Sequence, residues 1–166
     1  MSNIIITLLL LIIVAGLIIV YVFKYKPRKH RSNLKELYSE GLDMIINNNR
    51  RGAYQNFKSI IEKDTNNINA YLRLGQVVRE GGNPNQALKI HRGLNLRKGL
   101  THYEQVELYK NLSLDHYSRG DLEQAIEQSR NILKIEKSSE WALTHLVKYY
   151  REINDWAQAG EYLEMF

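Results

Sequence analysis

Histidines, carboxylates and tyrosines are the side chains of this 166-residue chain with which chemistry could be done. Five histidines are present and no cysteine, so a zinc site would need imidazole and carboxylate alone. His91, His102, His116 and His145 fall in separate predicted helices, none with a second histidine four residues on. That spacing is what a helical metal pair requires. No phosphate-loop, dinucleotide-binding or nucleophile-elbow motif occurs, so phosphoryl-transfer and hydrolase readings have no anchor. Gly81 and Gly82 read instead as a helix-ending turn before Asn83. The sequence is read as holding no catalytic, cofactor-binding or metal-binding residue.

Charge is concentrated in one place. Residues 1–23 carry no charged side chain, and Lys24, Lys26, Arg28, Lys29 and Arg31 follow with no acid among them. The whole chain has 23 Lys plus Arg against 18 Asp plus Glu, so without those five the body is formally neutral. A neutral body offers no footprint for a phosphate backbone, which argues against a nucleic-acid partner.

Ile4 to Phe23 is an unbroken run in which Thr7 and Gly16 are the least apolar members. A helix of about 20 residues spans a bilayer core of roughly 30 Å. A cleaved signal peptide is the alternative, but no Lys or Arg precedes the run. The run is also longer than a typical signal core. Tyr21, Phe23 and Tyr25 stand where a small-residue cleavage site would be and suit the bilayer interface. The expectation is a retained anchor over 1–23 and a basic juxtamembrane linker over 24–33. Lys24, Lys26, Arg28, Lys29 and Arg31 set the topology, holding the body on the cytoplasmic side, and could touch anionic lipid.

The body repeats. Gly41 and Gly75 are 34 residues apart, as are Ala53 and Ala87, and Ala125 and Ala159; Ala87 and Ala125 are 38 apart. Setting these in register gives units 34–67, 68–101, 106–139 and an incomplete 140–166, with 102–105 inserted. Each unit reads as two short amphipathic helices. Leu37, Gly41 and Met44 begin the series, and Tyr71, Leu74, Gly75 and Val78 continue it. Asn83–Pro84, Gly120–Asp121 and Asn154–Asp155 mark the breaks, and Thr101 with Glu104 has capping-box spacing.

This pattern resembles the tetratricopeptide repeat, which implies an all-α fold: an α-solenoid of helix-turn-helix units behind a single transmembrane helix. Ser113 and Val147 replace the small glycine in units three and four, and His91 and Ser129 stand where a large apolar residue is usual. The apolar N-terminus, the "ALKIHR" helix containing His91 and the expansion Leu100 to Gln105 are similar to the lipopolysaccharide assembly protein B family. That resemblance implies an inner-membrane adaptor with a cytoplasmic body. Its members help present the deacetylase of lipid A synthesis to a membrane-bound ATP-dependent protease. They end in a rubredoxin-like metal domain; with no cysteine here, no such cofactor is expected within these residues, and the chain is read as the N-terminal part of a longer product.

A repeat stack offers a concave face lined by first helices, suited to protein clients rather than small-molecule substrates. Its expected side chains include Leu72, Gln76, Arg79, Lys110, Tyr117, Lys148 and Arg151, with Arg79, Tyr117 and Arg151 as anchors. The function expected is a non-catalytic adaptor linking clients to a membrane protein partner. Two alternatives stay open: a regulatory region of an enzyme whose catalytic domain lies beyond residue 166, and an envelope-assembly scaffold facing the periplasm.

Overall fold

The computed structural model describes residues 14–16, 18 and 34–166. The chain divides into two units, Met1–Ser32 and Asn33–Phe166. In the first, residues 14–16 and 18 are helical. The expected anchor and the basic linker otherwise lie outside the described residues. Among the described residues no helix is long and apolar enough to cross a membrane.

The second unit is built from α-helices: α1 (Leu34–Ile46), α2 (Arg50–Lys63), α3 (Ile68–Glu80), α4 (Pro84–Asn95), α5 (His102–Ser118), α6 (Leu122–Ile135), α7 (Glu140–Glu152) and α8 (Trp156–Leu163). Each helix packs on the next in the chain, and α3 also packs on α5. The helices are therefore stacked in sequence order rather than intermingled.

A periodic turn makes the pairs. Asn48, Gly82, Gly120 and Asn154 all adopt positive φ, at 57°, 86°, 83° and 60°, and they recur at the same 34, 38 and 34 spacing as the alanines. Glycine and asparagine are the residues that enter this left-handed region at least cost. The residue after each is the N-cap of the second helix. Asn49, Asn83 and Asp155 accept from the backbone N–H groups of Gly52, Gln86 and Gln158, satisfying donors the helix start would leave orphaned. Pro84 occupies the first turn of α4, where its missing N–H is harmless. Thr101 and Glu104 form a full capping box. It starts α5 within the inserted residues and lengthens that helix to 17 residues.

The repeated alanines seal each pair. Ala53, Ala87 and Ala125 are fully buried and Ala159 is 5% exposed. No buried side-chain nitrogen or oxygen lacks a partner among the described residues.

Candidate functional site

Where the helices of one pair approach closest, the residues 16 apart are matched in size. Gly41 faces Phe57: a Cβ on Gly41 would lie 2.8 Å from the phenyl Cζ. Gly75 faces His91, whose Nε2 would be 2.3 Å from an added Cβ. In unit three both members are serines, with Ser113 Oγ 2.9 Å from Ser129 Oγ. The remaining space is filled by Tyr149, whose hydroxyl is 3.2 Å from Ser113 Oγ. Burial holds the Tyr149 phenol above its ordinary pKa. The departures at Ser113, His91 and Ser129 are thus mutual adjustments, since a close-packed core constrains how the whole contact is filled, neighbouring units included, rather than either residue.

A second register runs between units. Ile45 and Val77 lie in the first core cluster. The same pair of positions one unit on is Arg79 and Asp115, joined Nη1 to Oδ1 at 2.8 Å. One unit further it is Tyr117 and Tyr149, stacked with centroids 5.0 Å apart. One geometric junction is therefore filled by an aliphatic contact, an ion pair and an aromatic stack. Asp115 is fully buried and also accepts from His91 Nδ1 at 2.5 Å, while His91 Nε2 lies 3.2 Å from the Leu72 carbonyl oxygen. Arg79 Nη1 further contacts Asn111 Oδ1 at 3.3 Å.

This junction corrects the expectation for Arg79. Its side chain is only 9% exposed and its guanidinium is committed to Asp115, so it is not an anchor in the open groove. Leu72, at 4% exposure, is likewise core. Spacing along one helix could not separate them from their neighbours, because the following unit helps to bury both, through Asp115 at Arg79 and through Leu108 and Leu112 in the cluster of Leu72.

The other expected groove residues divide by how they are held. Gln76 accepts from Arg73 at 2.8 Å and donates to Glu80 at 2.9 Å. Lys110 donates to Glu107 at 2.9 Å, with its ammonium 6.0 Å from the Trp141 ring. Tyr117 donates to Glu152 at 2.8 Å, and Lys148 Nζ sits 4.1 Å over the Tyr117 ring. Tyr117, Lys148 and Glu152 therefore form one connected cluster. Arg151 is exposed and has no partner among the described residues. Lys148 and Arg151 line a cavity of about 540 Å³ together with Val147, Trp156, Leu163 and Phe166.

Trp156 opens α8. It is 61% exposed and is part of that cavity wall. Trp141 stacks on His145 at 3.7 Å. His145 Nδ1 donates to the Trp141 carbonyl at 2.8 Å, and burial holds the ring pKa below its ordinary value. The basic residues Lys24, Lys26, Arg28, Lys29 and Arg31 lie outside the described residues. Among the described residues no group of three or more His, Asp or Glu could hold a metal ion. The arrangement offers cations, aromatic faces and an apolar floor, which is recognition chemistry.

No protein-family model matches the chain. Lipopolysaccharide assembly protein B of Escherichia coli strain K12 is 23% identical over 133 residues, covering 80% of this chain and 34% of that protein. The protein of that name from Escherichia coli O157:H7 matches equally. The chain thus spans about a third of the length of the curated relatives it matches. Among solved structures, a crystal structure of MamA superposes with a TM-score of 0.69 at 21% identity, covering 86% of this chain and 81% of that one. MamA 41-end from Desulfovibrio magneticus RS-1 gives 0.68 at 18% identity over 82% and 75%. A tetratricopeptide repeat protein from Parabacteroides merdae ATCC 43184 gives 0.65 at 17% over 80% and 52%. The described body has the tetratricopeptide-repeat solenoid fold, and the chain resembles lipopolysaccharide assembly protein B in sequence.

Proposed function

We propose that the chain is a membrane-anchored adaptor without catalysis of its own, whose repeats face the cytoplasm and hold a protein client beside a membrane partner. The observation that carries this reading is the Tyr117–Lys148–Glu152 cluster with Arg151 beside it on the first-helix side of units three and four. It places exposed cations and an aromatic ring beside an apolar cavity, as protein-binding hot spots do. The resemblance to lipopolysaccharide assembly protein B supports control of lipopolysaccharide synthesis as the process. In that role the client is an enzyme of lipid A synthesis and the partner a membrane protease.

The anchor over 1–23 and the basic residues 24–31 give such an adaptor its physical advantage. Confinement to a surface raises the effective concentration of client and partner for one another, so modest affinities suffice. A strain lacking the native protein tests this. The full chain restores lipid A control, while residues 34–166 alone bind the client and restore nothing. Equal restoration by both would overturn the anchored reading.

A further inference from the structure

The second-helix side of units two and three holds a cationic niche that the adaptor reading does not use. Lys58, Arg92 and Arg130 occupy one repeat position, again at spacings of 34 and 38. Lys58 lies 3.9 Å from Glu62. Arg130 donates to Tyr162 Oη at 3.1 Å and to Gln158 at 3.3 Å, over the Tyr150 ring. Arg92 alone of the three has no partner among the described residues. It borders two adjoining cavities of about 590 and 390 Å³, and Arg119 lines both with it. Lys89 lines the smaller one. Gly81 and Ile153 stand at the position of Arg119 in units two and four, so this pairing of guanidinium groups belongs to unit junction two to three.

A buried imidazole completes the niche. His116 is 3% exposed yet lines the larger cavity. Its Nδ1 lies 3.4 Å from Asp121 Oδ2, and its Nε2, the edge of the ring that is not itself buried, has no hydrogen-bond partner among the described residues. Two carboxylates are also present. Asp121 is shared between His116 and Arg119, whose Nε is 3.4 Å away, and for that reason makes no side-chain cap on α6. Glu123 is exposed. Glu123 lines the larger cavity with Arg92, but Arg92 and Lys89 make no ion pair among the described residues, and the positive field of Arg92 and Arg119 at His116 adds to burial in holding that ring's pKa below its ordinary value.

We propose that this niche, formed by Arg92, Arg119, Lys89 and His116, binds a phosphate group. A planar guanidinium offers paired N–H donors that match phosphate oxygens bidentately. Protonation of the ring on binding turns the free Nε2 into a donor, and Nε2–H then supplies a further hydrogen bond at the cavity wall. The group is borne either by a lipid headgroup or by a soluble phosphate compound, and the niche works independently of the client groove.

The test uses the full chain in uncharged detergent micelles, with the His116 ring observed by NMR. Inorganic phosphate is titrated at constant ionic strength against chloride, and in parallel the protein is placed in phosphatidylcholine bilayers with and without phosphatidic acid. Phosphate between the two arginines raises the His116 pKa and shifts its ring signals. The double variant R92Q/R119Q, at two surface positions, weakens that response about ten-fold or more, the scale of losing charge-assisted hydrogen bonds. A response to inorganic phosphate identifies a soluble ligand, and one confined to phosphatidic acid identifies a headgroup. The proposal is overturned if His116 responds to neither probe, or responds equally in the folded double variant.

Discussion

Arg79 and Asp115 meet at 2.8 Å across the junction of units two and three, with side chains 9% and 0% exposed. Removing one partner of a buried pair strands the other charge, so Asp115→Val is expected to cost about 3–5 kcal/mol. The chain itself contains the remedy. The junction of units one and two fills the equivalent positions with Ile45, Phe57 and Val77, so the triple change R79I/H91F/D115V recreates an apolar junction already used in this fold. Chemical denaturation should find the triple variant more stable than Asp115→Val alone. A triple variant less stable than the single would mean that the junctions are not equivalent.

Gly75→Ala tests the size matching within a pair. Alanine favours a helix over glycine by about 1 kcal/mol, but here its Cβ would meet a ring pinned by Asp115 and facing the Leu72 carbonyl. Overpacking of this kind costs about 1–3 kcal/mol, so a net loss is expected. Gly93→Ala is the control: it lies within α4 with nothing within 4 Å of an added Cβ, and should be neutral or stabilising. A stabilising Gly75→Ala would contradict the packing described.

A buried and a half-buried imidazole set the acid limb of stability. His116 and His145 both have pKa values held below 6.5, burial being the largest cause in each. The unfolded chain therefore binds more protons than the folded one as pH drops through 6.5 toward the folded values. Stability contributed by the neutral rings is present above pH 6.5 and lost below it. Urea midpoints between pH 8 and pH 5.5 should fall with pH, and rising midpoints would show that these rings are not the controlling groups.

Periodicity made the helix pairs legible, because Ala53, Ala87, Ala125 and Ala159 repeat without exception. Capping chemistry made three of the four intra-unit turns legible. The turn at Asn48–Asn49 was hidden inside a run of asparagines, where residue type alone does not distinguish the left-handed position from the cap. The site was less legible, for a physical reason. A first helix shows one side to the groove and an adjacent side to the next unit, and helical spacing does not say where one ends. Arg79 and Tyr117 occupy one repeat position, yet Arg79 is closed over by Asp115 while Tyr117 reaches Glu152 and carries Lys148. Only the partner residue in the following unit decides this. The niche around Arg92 was likewise invisible, because its distinction lies in a missing partner.

The most direct measurement is the affinity of the full chain, in detergent micelles, for the lipid A deacetylase of its own organism, compared with that of the K148E/R151E variant. Both substituted side chains are exposed, so the fold should persist. Binding by the unaltered chain that weakens with salt and falls about ten-fold or more in the variant is the expected result. No binding, or equal binding by both proteins, would contradict the account.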